Sequence, residues 1–142
     1  MKRATTLVRF IISITSLLVL GLGSQVQARN ECTTASFKGT YGFSCEGTIV
    51  GVGPIAVVGL DVADGQGHSA GTETISYTGQ IFSGVPFTET SIVNPDCTVI
   101  DEVTYSDGSK THAYSVMVDD KEEIRTIVTD PGSIITCVVK KQ

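Results

Sequence analysis

From Lys38 onward, apolar and polar positions alternate with a period of two, and turn residues interrupt the alternation at short intervals. Thr, Val, Ile and Tyr dominate the runs, while Gly, Asp, Asn and Pro separate them, which is the signature of consecutive β-strands. The pattern predicts strands near 39–50, 54–63, 69–79, 85–93, 97–105, 110–118, 122–129 and 133–139. The intervening segments are Gly51-Val52-Gly53-Pro54, Asp64-Gly65-Gln66-Gly67, Phe82-Ser83-Gly84, Asn94-Pro95-Asp96, Asp107-Gly108, Asp119-Asp120 and Asp130-Pro131-Gly132. Each supplies residues that tolerate positive φ or preset φ for a turn. Connections this short join antiparallel neighbours, because a parallel crossover needs a dozen or more residues. Eight such strands leave two open edges unless the first and last meet, so the expected architecture is an eight-stranded up-and-down β-barrel. A two-layer β-sandwich is the alternative. No helix longer than two turns is expected.

Strand parity also assigns faces. Tyr41, Phe43 and Cys45 share one, as do Ile75 and Tyr77, Val85 and Phe87, Val99, Val103 and Tyr105, and Tyr114, Val116 and Val118. Thr, Ser and charged residues mostly oppose them, as for a wet exterior. The run Ile55-Ala56-Val57-Val58 is apolar on both faces, which implies either a covered outer surface or a contact patch.

Before this region the chain has a different pattern. Lys2, Arg3 and Arg9 precede an apolar stretch from Phe10 to Leu22, and Val26-Gln27-Ala28 follows as a small-x-small sequence. This is the layout of a cleaved signal peptide over 1–28. The apolar run of about 13 residues is short beside the roughly 20 of a membrane helix. The expected mature protein is one domain over 29–142, secreted or periplasmic.

Charge narrows the partners. Residues 29–142 hold seven Lys/Arg against fifteen Asp/Glu, a formal charge of −8, and the one basic pair is Lys140-Lys141 at the end. Nucleic acid, whose recognition is led by Lys and Arg, is not an expected partner, and neither is an anionic membrane surface. A lipid anchor is not expected, since Arg29-Asn30-Glu31 precedes Cys32 where a lipobox needs small apolar residues.

Cys32, Cys45, Cys97 and Cys137 all lie in the mature region. An even count in a small exported domain points to two disulfides, and the lack of close pairs argues against zinc. Three pairings are possible. Barrel closure would make the first and last strands neighbours, which favours Cys45–Cys137 and leaves Cys32–Cys97.

Several ionisable residues fall in phase with the apolar faces: Glu73 with Ile75 and Tyr77, Glu89 with Phe87, Asp101 with Val99 and Val103, His112 with Tyr114, and Arg125 with Ile127. Buried charges need partners. The candidate ligand-binding set is therefore Glu73, Tyr77, Phe87, Glu89, Asp101, Tyr105, His112, Tyr114 and Arg125, with a carboxylate expected to pair with Arg125 or a tyrosine hydroxyl. The segment Asp61-Val62-Ala63-Asp64-Gly65 is faintly like a calcium loop, but lacks the further ligands of an EF-hand and reads as a β-turn. The chain has no G-x-S-x-G, H-E-x-x-H, P-loop or dinucleotide fingerprint, so no catalytic residue, metal or cofactor is assigned.

Gly39-Thr40-Tyr41-Gly42-Phe43, Asp64-Gly65-Gln66-Gly67 and Asp96-Cys97-Thr98 resemble a group of small exported bacterial β-proteins with G-x-Y-x-F, D-G-x-G and D-C-T motifs. The likeness covers most of 32–139 and transfers no catalytic residues. The strand plan also resembles barrels of the lipocalin, dirigent and allene oxide cyclase type, an analogy of fold that does not fix function. The expected function is binding of a small apolar or amphipathic molecule inside the barrel. A packed interaction module ranks second, and a cyclase- or isomerase-type enzyme third.

Overall fold

A computed structural model describes residues 31–142, so the expected signal peptide lies outside the described residues. Eight strands follow one another: β1 (Lys38–Ile49), β2 (Gly53–Asp64), β3 (His68–Tyr77), β4 (Gln80–Val93), β5 (Thr98–Tyr105), β6 (Lys110–Val118), β7 (Glu123–Val128) and β8 (Ser133–Lys141). Each is antiparallel to the next, and β8 pairs back onto β1 to close an up-and-down barrel. Closure satisfies both edges that an eight-strand meander would leave open. Two single turns of 3-10 helix, Thr34–Ser36 and Asp119–Lys121, are the only helical pieces among the described residues.

The order and number of strands match the expectation from sequence, with one boundary displaced. The β3–β4 hairpin turns at Thr78-Gly79, and Phe82-Ser83-Gly84 lies within β4. Thr78 (φ 49°) and Gly79 (φ 87°) both take positive φ, as a two-residue hairpin between twisted strands requires. Gly84 (φ 67°) sits at a register shift opposite Glu73–Ile75, so its conformational freedom serves a bulge and not a turn.

The faces of β6 and β7 also differ from expectation. Thr104 pairs with Lys110, so Asp101 lies opposite Ala113 and Val99 opposite Ser115. Cross-strand partners share a face. Ala113, Ser115 and Met117 therefore point inward, and Tyr114, Val116 and Val118 are exposed. The register carries this into β7, where Met117 faces Ile124 and Val116 faces Arg125. Ile124 is buried and Arg125 is outside.

One end of the barrel is plugged. Cys32, Phe37, Tyr41, Ala63, Val99, Met117 and Ile124 form a buried cluster beneath the Thr34–Ser36 turn. The rings of Phe37 and Tyr41 lie 5.0 Å apart. Burying each large apolar side chain here stabilises the fold by roughly 1.5–3 kcal/mol before entropy is counted. The Cys32–Cys97 disulfide ties this plug to the loop before β5, and the Cys32 amide donates to the Pro95 carbonyl at 3.1 Å. The second bridge, Cys45–Cys137, joins residues directly opposite each other on β1 and β8 and staples the closing seam. The outside is partly apolar: Val58, Leu60 and Val62 are exposed along β2.

Candidate functional site

Above the plug the barrel encloses a cavity of about 220 Å³. Its two sides differ because the inward residues of neighbouring strands differ. β8, β1 and β2 contribute Ile135, Val139, Phe43, Ile49, Ile55 and Val57, together with the Cys45–Cys137 disulfide. Strands β2 to β5 contribute four carboxylates, Asp61, Glu73, Glu89 and Asp101, while β6 and β7 add Thr111, Ser115 and Thr126. No Lys, Arg or His lines it among the described residues.

Two glycines shape the boundary between these sides. A Cβ on Gly59 would come 2.5 Å from Phe43 Cζ, and one on Gly71 would come 2.5 Å from Phe87 Cζ. Their missing side chains admit the two rings, which meet edge-on at 5.8 Å. Gly59 pairs with Glu73 and Gly71 with Asp61, so each ring leans over the cross-strand partner of a carboxylate.

Hydroxyls organise part of the acidic side. Ser91 Oγ lies 3.1 Å from Glu89 Oε1 and 2.8 Å from Asp101 Oδ1. Ser115 Oγ donates to Asp101 Oδ2 at 2.7 Å and lies 2.8 Å from Thr126 Oγ1. Asp101 thus accepts on both oxygens. Two other carboxylates are less well satisfied. Asp61 Oδ1 and Glu73 Oε1 are buried without a hydrogen-bond partner, as is Ser69 Oγ.

Burial therefore dominates the titration of the cluster. It pushes the Asp61 carboxyl up to about 6, and the nearby Ser69 hydroxyl, outside hydrogen-bonding geometry, offsets only part of the rise. Burial also raises Glu73. Glu89 is raised well above the usual carboxylate range, first by burial and then by the charges of Asp101 and Asp61. The Tyr105 phenol is raised by burial and by the neighbouring Glu73, so it remains a hydrogen-bond donor at neutral pH.

Of the residues singled out from sequence, the cavity brings together Glu73, Phe87, Glu89, Asp101 and Tyr105. Tyr77 pairs with Ile55 near the open end and lies outside the lining. His112, Tyr114 and Arg125 are on the outer surface, so the inward face expected for them is corrected. His112 Nδ1 lies 2.8 Å from Asp130 Oδ1 and Nε2 lies 3.4 Å from Glu102 Oε2. Arg125 pairs with Glu123 instead of an interior carboxylate. Sequence reading missed Asp61, which shares parity with Ile55 and Val57. That signal was hidden because the strand is apolar on both faces. Among the described residues, no group of three or more His, Cys, Asp or Glu is placed to hold a metal ion.

No protein-family model matches the chain, and a search of curated proteins gives no match. Among solved structures, the chain is similar to a de novo designed fluorescence-activating β-barrel, with a TM-score of 0.55 and 14% identity over 77% of this chain and 96% of that one. It is also similar to a redesigned β-barrel, with a TM-score of 0.52 and 16% identity over 78% and 95% of the two chains. At these identities the likeness shows the fold alone.

Proposed function

We propose that this protein is an exported barrel that binds a small amphipathic molecule in its interior. The observation that carries this reading is the two-sided cavity, apolar along β8–β1–β2 and hydrogen-bonding along β2–β6. Small-molecule sites combine largely hydrophobic walls with a few convergent polar groups. A volume of 220 Å³ exceeds the roughly 150 Å³ of an engineered apolar cavity that admits benzene, so a single ring or a short chain fits. The packed-barrel alternative is disfavoured by the same volume. Export is supported by the basic-apolar-small pattern of residues 1–28 and by two disulfides, which persist in oxidising compartments.

One observation favours a second reading. Glu89, whose carboxyl burial pushes well above the usual carboxylate range, lies beside Asp101, which accepts hydrogen bonds on both oxygens, and two carboxyls set apart in this way can divide acid and base roles in an isomerase or cyclase. Binding remains the primary reading, because it needs only the cavity.

Native mass spectrometry of protein purified from its source tests it. A retained small molecule, released on denaturation and lost in Ala113→Phe, which fills the cavity, is the expected result. A source-purified protein that carries nothing and whose Ala113→Phe variant behaves identically would overturn it.

A further inference from the structure

We infer that the interior site takes a small organic cation, a protonated amine attached to a compact apolar group. This rests on the ligand-binding reading and names the charge of the ligand.

The first observation is the imbalance of the cavity wall. Four carboxylates face it, and among the described residues no basic side chain does. The Arg expected to answer them, Arg125, is on the outside and engaged by Glu123. The second, independent observation is that two of these carboxylates are incomplete. Asp61 is 4% exposed and Glu73 is 7% exposed, yet Asp61 Oδ1 and Glu73 Oε1 have no hydrogen-bond partner. A buried acceptor left without a donor destabilises a fold, and more so when it is charged. A sequence selected for stability alone would place an apolar residue or a partner at such positions.

An ammonium group resolves both features. It brings the missing positive charge and three donors with no acceptor, which suits oxygens that can only accept. Charge-assisted hydrogen bonds of this kind are roughly twice as strong as neutral ones. Phe43 and Phe87 line the same cavity, each packed over the glycine paired with one of these two carboxylates, and aromatic rings attract cations as well as packing against an apolar substituent. The apolar wall of Ile55, Val57 and Ile135 receives the rest of the molecule. An anionic ligand is repelled by the same wall, and a neutral one leaves the charge imbalance in place.

Benzylamine, benzyl alcohol and benzoate have nearly one shape and carry charges of +1, 0 and −1 at neutral pH. Titration of each into the protein with both disulfides formed, followed by calorimetry and by amide NMR shifts, separates the possibilities. Benzylamine is expected to bind at least about tenfold more tightly than benzyl alcohol, which corresponds to about 1.4 kcal/mol, and benzoate not at all. The double variant Asp61→Asn/Glu73→Gln should lose that preference while still binding benzyl alcohol, which also shows that it has folded. Equal binding of amine and alcohol to the unaltered protein overturns the cation assignment and leaves interior binding standing. Binding of none of the three overturns both.

Discussion

Glu89 and Asp101 share one hydroxyl: Ser91 Oγ lies 3.1 Å from Glu89 Oε1 and 2.8 Å from Asp101 Oδ1. A serine hydroxyl has one proton to donate. Both contacts are hydrogen bonds only if one carboxyl is itself protonated, and the raised titration of Glu89 identifies it as that partner. Glu89 then donates to Ser91, Ser91 donates to Asp101, and Ser115 donates to the other Asp101 oxygen. Ser91→Ala breaks this relay and leaves the Glu89 O–H without its acceptor and Asp101 Oδ1 without its donor, so it should destabilise the fold by about 1–3 kcal/mol. Urea denaturation at pH 7 measures it, and a loss below about 0.5 kcal/mol would contradict the relay.

Asp61 gives a pH dependence of defined sign. Its carboxyl is raised from 3.8 to about 6, so its contribution to stability is complete below pH 3.8 and is lost as the pH rises through 6. A shift of this size is worth about 3 kcal/mol at most. Asp61→Asn, which cannot ionise, should therefore be more stable than the unaltered protein at pH 8, with the difference shrinking towards pH 4. Paired denaturation curves at the two pH values check this. A destabilised Asp61→Asn at pH 8 would show that the charge has a partner in the fold.

The inward positions of Glu73, Glu89, Asp101 and Tyr105 were legible in the sequence because large apolar neighbours on the same parity marked the face. Ser115 and Ala113 were not legible, since the inside of β6 is lined by small residues while Tyr114, Val116 and Val118 occupy its outer face. Hydrophobic size thus pointed the wrong way, and only the register with β5 settles it. The same inversion moved Arg125 outward through its pairing with Val116. Gly84 was ambiguous for another reason: positive φ serves a bulge as well as a turn, and residue type alone does not distinguish them. Disulfide pairing, in contrast, followed from closure, because an up-and-down barrel makes its first and last strands neighbours.

The closing disulfide should matter to the whole barrel. Cys45 and Cys137 are 92 residues apart in sequence, so the bridge removes a long loop from the unfolded ensemble. Replacing both by Ala should cost about 2–5 kcal/mol, seen as a lower denaturation midpoint. The two sulfurs also line the cavity, so the variant should show altered amide shifts at Val57 and Ile135 even where it remains folded. A midpoint equal to that of the unaltered protein would mean that strand pairing alone holds the seam.

Adjacent residues on β7 test the inverted face directly. Ile124 points into the plug against Met117 and is 5% exposed, whereas the Arg125 side chain is 60% exposed. Ile124→Ala removes buried atoms and leaves a void among Tyr41, Val99 and Met117, at a cost of about 2–5 kcal/mol. Arg125→Met removes a surface ion pair whose other member, Glu123, keeps Lys140 at 2.9 Å. Its cost should stay at or below about 1 kcal/mol. Chemical denaturation of the two variants under one set of conditions gives the comparison. If Arg125→Met proved the more damaging, the β6–β7 register would be wrong by one residue and Arg125 would return to the interior as a partner for the carboxylates.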